Sequence, residues 1–387
     1  MYEKLKDFLT DDFWIMPATP KYKDKGIPYI TSKNIKNGKI DYSNINYISK
    51  EDYENISKNR PIKVNDILIS MIGTIGETAV VAKTDGEFYG QNMFLVRLND
   101  KKINQRFFLN YFKSSFVKNQ LFNKQNKSTQ SYLKANHIED LKVPVISIEE
   151  QIKIADKLDK IQMMIDEKKE QISLLNQLIK SQFVEMFGTI KNNKYNYEIK
   201  KISEVFELIK DGTHSTPTYT DDKINGIKFL SAKDVTTGKI NWSDIKYIPR
   251  ELHEVLSKRV KPQKGDILLC KNGTTGICAK VDVDEIFDIY VSLALLRPNP
   301  RYNIDYLVES INSFETKKQF NSSLKGIGVP NLHLGEISKA KILVPPIELQ
   351  NKFAQIVEQI DKQKFEFEKS LKKLEELQAS LMQEYFG

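Results

Sequence analysis

Hydrophobic residues recur at spacings of three and four along two stretches of the chain, residues 148–188 and 344–387. A proline-marked entry precedes the first stretch and opens the second, and about 40 residues without proline or glycine then lead to a closing Phe-Gly. This pattern predicts a long helix with a coiled-coil seam, about 60 Å long at 1.5 Å per residue. The seam positions are Ile152, Leu158, Ile165, Ile172 and Leu175 in the first stretch, and Phe353, Ile356, Ile360, Phe367, Leu374 and Leu381 in the second. Because either helix alone would expose this seam, we expect the two to pack together as an antiparallel coiled coil.

The remaining segments, residues 1–147 and 189–343, have a mixed pattern. Short apolar runs bounded by turn residues, such as 66–70 and 94–98, predict strands. Near-helical apolar spacing predicts a helix from Gln105 to Phe122 and a counterpart from Ile304 to Phe320. We therefore expect two globular α/β (α+β) domains, called head 1 (residues 1–147) and head 2 (residues 189–343), separated by helical spacers at 148–188 and 344–387.

Two dipeptides in these segments predict tight turns. Asn37-Gly38 and Thr237-Gly238 have the residue types that two-residue hairpin turns prefer. Gly73-Thr74-Ile75-Gly76 and its copy, Gly273-Thr274-Thr275-Gly276, each follow a predicted strand and have no clear helix behind them. They also indicate hairpins rather than phosphate-binding loops.

The two halves of the chain repeat each other at a separation of about 200 residues. Gly38-Lys39-Ile40 returns as Gly238-Lys239-Ile240, and Asp66-Ile67-Leu68 returns as Asp266-Ile267-Leu268. Solenoid repeats run to only about 50 residues, so this period indicates a duplicated domain. Heads held apart by a rod would suit a rigid, periodic ligand such as DNA.

Composition narrows the compartment and the class of partner. Lys and Arg number 59 against 51 Asp and Glu, a net charge of +8 that favours a polyanionic partner. No apolar run approaches the roughly 18 residues of a membrane span, and the N-terminus lacks a signal-peptide core. Two cysteines in 387 residues fit a reducing compartment, so we expect a cytoplasmic protein. Cys270 and Cys278 stand opposite Ser70 and Thr78 in the repeat, which favours packing roles over a disulfide or metal site.

Motifs for catalysis and metal binding are missing from the sequence. The four histidines fall in none of the zinc-binding patterns, and no phosphate-binding Gly-x-x-x-x-Gly-Lys motif occurs. We therefore expect no catalytic residue, no metal ligand and no cofactor bound by this chain. A binding role is the better interpretation.

The two heads agree in some regions and differ in others, as two DNA-reading domains would. Residues 27–76 and 227–276 stay in register, whereas 85–135 and 285–335 diverge. Unlike heads would read two unlike half-sites, so an asymmetric target is expected. Amides and hydroxyls suit base edges, and lysines suit phosphates. The candidate DNA-binding residues are Lys33, Asn34, Gln91, Asn92, Lys127, Ser128, Thr129, Gln130 and Tyr132 in head 1, and Thr213, His214, Thr216, Lys233, Lys271, Asn272, Lys325, Gly326 and Asn331 in head 2.

Three motifs give the chain a family resemblance. Asp211-Gly212-Thr213-His214-x-Thr216-Pro217, followed by Gly226-Ile227 and an apolar strand, is similar to the opening of many target-recognition domains. Val344 to Gln350, and Val143 to Gln151 in the other half, each precede a long helix as in that family. Over essentially its whole length the chain resembles the specificity (S) subunit of a Type I restriction–modification system.

That resemblance implies a function. Each head would read one half of a bipartite target in double-stranded DNA, and the helices would set the gap and dock two modification (methyltransferase) subunits. Those subunits would carry S-adenosylmethionine and methylate adenine, and two restriction (motor and nuclease) subunits could join them. The chain itself would be a non-catalytic specificity subunit.

Other classes of function stay open at the level of sequence. A DNA-independent coiled-coil scaffold would bind only proteins, with far less dependence on salt than phosphate contacts give. A Type IIB-like specificity subunit would differ only in its partners. A self-sufficient methyltransferase or nuclease would bind S-adenosylmethionine or cleave DNA alone.

Overall fold

A computed structural model describes residues 1–10, 14–15, 20–72, 75–124, 133–235, 238–323 and 331–387. Spatial contacts between residues divide the chain into two compact units. Unit 1 comprises Met1–Lys169 and Lys369–Gly387, and unit 2 comprises Glu170–Glu368. Each unit therefore combines one head with segments of both spacers. The four-segment division into heads and spacers stays a prediction about domains.

Unit 1 holds eleven described strands and the first helices. The strands are β1 (Tyr2–Lys4), β2 (Trp14–Ile15), β3 (Ile27–Ile30), β4 (Ile35–Lys36), β5 (Lys39–Ile40), β6 (Asn46–Ile48), β7 (Ile67–Ser70), β8 (Thr78–Val80), β9 (Tyr89–Gly90), β10 (Met93–Val96) and β11 (Lys142–Pro144). The helices are α1 (Lys50–Ser57), α2 (Gln105–Lys113), α3 (Ser115–Lys124), α4 (Ala135–Glu139), the start of α5 (Ile148–Phe187) and the end of α11 (Ile347–Phe386).

Unit 2 repeats this series. Its described strands are β12 (Glu198–Lys201), β13 (Phe206–Asp211), β14 (Ile227–Leu230), β15 (Lys246–Ile248), β16 (Ile267–Cys270), β17 (Cys278–Lys280), β18 (Phe287–Ile289), β19 (Leu293–Pro298) and β20 (Lys341–Val344). Its helices are the end of α5, then α6 (Ile202–Val205), α7 (Arg250–Leu256), α8 (Ile304–Asn312), α9 (Phe314–Ser322), α10 (Leu334–Lys339) and the first part of α11 (Ile347–Phe386).

Three sheets have the same topology in the two units. A four-stranded antiparallel sheet has the order β2-β10-β7-β8 in unit 1 and β13-β19-β16-β17 in unit 2. A three-stranded mixed sheet has the order β6-β3-β9 or β15-β14-β18. A two-stranded sheet pairs β1 with β11, or β12 with β20. The structure thus confirms the mixed fold and its duplication.

The predicted turns are found where the structure describes them. Strands β4 and β5 pair around Asn37-Gly38, whose φ angles of 51° and 78° are those of a type I′ hairpin. Strands β16 and β17 form a hairpin around residues 271–277, as the Gly-rich motif predicted. The first copy of that motif includes Gly73 and Thr74, and the second predicted turn includes Thr237; these three residues lie outside the described residues.

The prediction of one helix from Gln105 to Phe122 is wrong, and so is its counterpart from Ile304 to Phe320. Each is two helices, α2 and α3 or α8 and α9, interrupted at Ser114 or Ser313. Both serines have extended backbone (ψ 155° and 153°), and each Oγ accepts a hydrogen bond from a backbone N–H of the following helix. A side chain that caps a new helix competes with continuation of the old one.

The two long helices pack antiparallel within each unit. In unit 1, Gln378 donates to Gln162 at 2.9 Å, and Lys169 pairs with Glu375 at 3.1 Å. In unit 2, Lys364 Nζ lies 2.6 Å from Asn176 Oδ1, and the rings of Phe183 and Phe353 are 5.5 Å apart. In both units, residues of increasing number in α5 contact residues of decreasing number in α11. The predicted antiparallel coiled coil is therefore confirmed.

The predicted seam residues lie in this packing. Each of the two helices is 40 residues long. Leu158, Ile165, Phe353, Ile360 and Leu381 are buried. The other predicted seam residues are half-buried, namely Ile152, Ile172, Leu175, Ile356, Phe367 and Leu374.

The repeated Phe-Gly at the end of each helix has a packing role. Phe386 of α11 is buried in unit 1, with its ring 5.3 Å from Phe107 and 5.8 Å from Tyr111. Phe187 of α5 is buried in unit 2, 4.9 Å from the ring of Tyr306. Each helix therefore closes the core of a head: α5 ends in the core of head 2, and α11 ends in the core of head 1.

Both cysteines are packing residues, as the repeat predicted. Cys270 and Cys278 are free thiols and fully buried, in two different apolar clusters. Burial raises the pKa of the Cys270 thiol to about 11 and also raises that of Cys278. Thiols with raised pKa values are poor nucleophiles and poor metal ligands at neutral pH.

Candidate nucleic-acid interface

Four of the predicted DNA-binding residues of head 2 line one pocket of about 480 Å³. We call it the polar pocket; it is lined by Asp211, His214, Lys271, Asn272, Val291, Asn331, His333 and Leu334. The sequence therefore identified half of the lining: His214, Lys271, Asn272 and Asn331.

The four-stranded sheet of unit 2 brings these residues together. Strand β19 pairs antiparallel with β13 on one side and β16 on the other, so β13 and β16 run in the same direction. Asp211 ends β13, and Lys271 follows β16, so both lie at the same edge of the sheet. Asn272 then pairs with Asn331 in an isolated bridge, which adds a third segment of chain to the pocket.

A charged cluster lies on one wall of the polar pocket. Asp211 accepts hydrogen bonds from Lys271 Nζ at 3.0 Å and from Arg259 at 2.6 Å, and its Oδ2 lies 3.1 Å from His214 Nε2. The Lys271 side chain is only 6% exposed, so its ammonium is held in place rather than solvated. One carboxylate faces both the Lys271 ammonium and the Arg259 guanidinium, so basic side chains outnumber the acidic one in the cluster, which suits a ligand rich in hydrogen-bond acceptors.

The ionisation of Asp211 depends on these partners. Burial by itself raises the pKa of Asp211, but the hydrogen bond and charge of Lys271, aided by His214 and Arg259, outweigh burial. The pKa of the carboxyl therefore lies below its usual range, and Asp211 is ionised at neutral pH. An ionised Asp211 fixes the positions of Lys271 and Arg259.

Two residues that line the polar pocket each have a buried amide oxygen without a partner. Oδ1 of Asn272 and Oδ1 of Asn331 are buried and accept no hydrogen bond within the described structure. A buried polar atom left unpaired costs roughly 1–3 kcal/mol. A rotation of either side chain would bring its amide toward the pocket, where it would offer a ligand both a donor and an acceptor.

The corresponding edge of head 1 is built from different residues. Ile15 occupies the sheet position of Asp211, because it pairs with Phe94 as Asp211 pairs with Ala294. Met71 and Ile72 stand where head 2 has Lys271 and Asn272; Met71 packs against the apolar core of unit 1. The same backbone edge is thus charged in one head and apolar in sequence in the other.

The remaining predicted residues of head 2 surround the pocket less closely. Thr213 is half-buried, and its carbonyl accepts from the backbone N–H of Val291, a lining residue. Thr216 is exposed. Lys233 lies on the turn after β14 and donates to the carbonyl of Asp244 at 3.0 Å. Lys325 and Gly326 lie outside the described residues.

Head 1 presents a polar surface where its turn at 32–34 meets residues 91–92. Ser32 Oγ donates to the Asn92 carbonyl at 2.5 Å, and Gln91 donates to the Tyr22 hydroxyl at 3.3 Å. Lys33 and Asn92 are exposed beside them. Asn34 differs, because its Nδ2 donates to the carbonyls of Asp41 and Asn44. Those two bonds leave neither amide hydrogen of Asn34 for a base edge.

Other predicted residues of head 1 cannot be placed. Lys127, Ser128, Thr129, Gln130 and Tyr132 lie outside the described residues. Within the described part of the chain, no group of three or more His, Cys, Asp or Glu side chains could hold a metal ion. Among those same residues, no helix is long and apolar enough to cross a membrane.

Sequence reasoning missed Asp211, Arg259 and His333 as members of the site. Asp211 and Arg259 are 48 residues apart and meet only through the fold. The repeat did carry a usable signal, since Lys271 and Asn272 replace the apolar Met71 and Ile72 in an otherwise similar strand and hairpin.

Comparison with known proteins agrees with the duplicated architecture. The family model described as "Type I restriction modification DNA specificity domain" matches residues 5–177 and again residues 194–379. The specificity subunit of the type I restriction enzyme EcoKI from Escherichia coli K12 is 24% identical over 365 residues, covering 87% of this chain and 76% of that protein.

Two solved structures share the fold at low identity. One is the S subunit of a Type I restriction–modification system from M. genitalium, with a TM-score of 0.56 and 15% identity over 100% of this chain and 96% of that chain. The other comes from work on complex assembly and conformational transition of the type I system, with a TM-score of 0.58 and 17% identity over 100% and 97%.

Proposed function

The chain belongs to the Type I restriction–modification DNA specificity family, and from this premise we propose that it reads a bipartite, asymmetric target in double-stranded DNA. Each head would read one half-site. The observation that carries this proposal is the duplicated sheet edge, which bears Lys271 and Asn272 in head 2 but Met71 and Ile72 in head 1. Two heads with one fold and unlike edges are suited to two unlike sequences.

The side chains of the polar pocket fit the chemistry of base edges. Lysine and arginine donate to guanine O6 and N7, and asparagine pairs with adenine N6 and N7. The net charge of +8 adds attraction to the phosphate backbone. The exposed Lys33 and Asn92 of head 1 offer a phosphate contact and an amide in the same way.

The two long helices would have two tasks in the complex. We propose that they set the gap between the half-sites and that they dock two modification subunits, which bind S-adenosylmethionine and transfer the methyl group to adenine. Two restriction subunits would join the same assembly for cleavage. Exposed apolar side chains along the helices, such as Met163 and Phe365, each 62% exposed, support a role in docking.

This assignment makes the chain a reader without catalytic residues or a cofactor of its own. The buried, high-pKa thiols and the structural bonds of Asp211 support that reading. A cytoplasmic location, which the low cysteine content predicts, would place it beside its DNA.

A reconstitution experiment tests the assignment. The chain, its modification subunits, or both would be mixed with DNA and labelled S-adenosylmethionine. Methyl transfer should require both components, and DNA binding by the complex should weaken steeply with salt. Methyl transfer by the chain alone would make it an enzyme, and salt-independent binding would favour a protein scaffold.

A further inference from the structure

The polar pocket of head 2 has the size of a small-molecule site. Its volume of about 480 Å³ lies within the roughly 300–1,000 Å³ typical of such sites. An edge contact in the major groove needs only a projecting side chain and no cavity. The pocket therefore has room for a ligand group that enters it.

The lining combines a polar wall with surfaces for a flat ring. Lys271, Asn272 and Asn331 line the pocket and supply its hydrogen-bonding side chains. Val291, Leu334 and the imidazoles of His214 and His333 supply apolar and aromatic surface. Proteins that bind an extrahelical base read its hydrogen-bonding edge in this way and stack its faces on apolar or aromatic groups.

The charge of the pocket selects among flat ligands. Asp211 is already engaged by Lys271, Arg259 and His214, so its carboxylate is not free to bind a cationic ligand. The Lys271 ammonium has three N–H groups and gives one to Asp211, which leaves donors for ring nitrogens or carbonyl oxygens. A neutral heteroaromatic ring with acceptors and donors on one edge satisfies both Lys271 and the amides.

We propose that the polar pocket of head 2 accommodates one whole nucleobase, read at its edge by Lys271, Asn272 and Asn331. The base is either an extrahelical base of bound DNA or the base of a free nucleotide. The first source rests on the proposed DNA-reading function, and the second does not. Head 1, with Met71 and Ile72 at the same edge, has a different reading surface.

The first arm of the test uses free nucleosides and the chain's four histidines. With the full chain labelled with ¹⁵N only at histidine, titration with adenosine, guanosine, cytidine or thymidine should shift the resonances of His214 and His333. His137 and His253 lie outside the pocket and serve as internal references.

The second arm uses duplex DNA bearing 2-aminopurine, a base whose fluorescence rises when it leaves the stack. The probe would be placed at each position of the selected target in turn, with the chain in complex with its modification subunits but without S-adenosylmethionine. Pocket entry predicts a several-fold rise at one position of the half-site read by head 2. A rise at the adenine that the modification subunits methylate does not count, because methyltransferases take their target base out of the stack.

Two variants link either signal to the pocket. Lys271→Met introduces the residue of head 1, and Asn331→Leu removes one unpaired oxygen and leaves the Asp211 cluster intact. Each should weaken nucleoside binding, or the half-site preference, by about tenfold or more. Lys264→Met removes the same charge from an exposed turn of head 2 and should change neither signal.

The outcomes separate the proposal from the broader function. Histidine shifts without a fluorescence rise support a free-nucleotide site, and a rise abolished by Asn331→Leu supports an extrahelical base. If neither signal is seen in a complex that still selects two half-sites, the pocket proposal is overturned and the DNA-reading function stands. If no half-site is selected, the DNA-reading function fails and the nucleoside arm alone decides.

Discussion

Individual side chains decide what the two heads can bind, because their backbones follow the same topology. At one sheet edge, head 2 has Lys271 and Asn272 where head 1 has Met71 and Ile72. These residues are apolar in head 1 and form part of a charged pocket in head 2. Asp211 makes this change tolerable, because it pairs with the buried Lys271 ammonium at 3.0 Å. A buried lysine without such a partner would be strongly destabilising.

Asp211 should make the stability of head 2 depend on pH in the acidic range. Its folded pKa lies below the ordinary carboxyl value of 3.8, so the stability it contributes is complete above that pH and is lost as pH falls through the folded pKa. We expect Asp211→Asn to lower the stability of strand β13 by roughly 1–3 kcal/mol at pH 7. Native-state hydrogen exchange from pH 7 down to pH 2 should show the difference from wild type shrinking below about pH 4. A difference that stays constant would contradict this role.

Replacing Asn331 with an apolar residue of similar size should stabilise the protein. Its Oδ1 is buried without a partner, so Asn331→Leu should raise the stability of head 2 by up to about 1–3 kcal/mol. Asn303 is a control in the same unit, because its Oδ1 caps helix α8 by accepting from Asp305 and Tyr306. Asn303→Leu should destabilise by about 1 kcal/mol. Equal effects of the two changes in denaturant unfolding would count against the unpaired oxygen.

At this scale, sequence reasoning located polar residues but not their bonds. His214, Lys271, Asn272 and Asn331 were predicted from residue type and do share a pocket. Asn34 was predicted on the same grounds, yet its amide hydrogens bind the carbonyls of Asp41 and Asn44. Residue type cannot show whether an amide is already occupied by the backbone of its own turn.

At the scale of elements, the pattern of apolar spacing predicted the long helices well and the short ones poorly. The two seams run for many turns, so the spacing of three and four is unmistakable, and prolines mark the entry. The helices at 105–122 and 304–320 were predicted as continuous because apolar spacing does not reveal a serine that caps a new helix. Ser114 and Ser313 are such residues.

The closing phenylalanines should stabilise different units. Phe386 packs on Phe107 and Tyr111 in unit 1, and Phe187 packs on Tyr306 and Phe353 in unit 2. Phe386→Ala should destabilise unit 1 by about 3–5 kcal/mol, and Phe187→Ala should do the same to unit 2. Hydrogen exchange in helices α2 and α8 reports on the two units separately. Faster exchange in both helices from either single change would contradict this division.

At the scale of the whole molecule, the repeat in the sequence predicted two heads of one fold, and the shared sheet topology confirms it. The sequence did not show which segments of the chain make up each compact unit. Unit 1 includes Lys369–Gly387 from the far end of the chain, because the last turns of α11 bury their apolar face beside head 1. Apolar spacing shows that a helix has a seam, but not which core receives its end.

The proposed spacer role predicts the gap in the DNA target. Deleting one heptad from each helix, residues 166–172 and 365–371, keeps the seam in phase and removes about 10 Å of rise. The gap between half-sites should shorten by about three base pairs at 3.4 Å each, while both half-sites stay the same. Insertion of a matched heptad in each helix should lengthen it equally. An unchanged gap in both variants would show that the helices do not measure it.

Selection from a random pool of duplex DNA, using the chain purified with its modification subunits, tests the central claim most directly. The account predicts two short, unlike sequence blocks separated by a constant gap. The Lys271→Met variant should relax only one of the two blocks. Enrichment of a single block, or no enrichment with DNA retention equally weak at low and high salt, would contradict the bipartite reader.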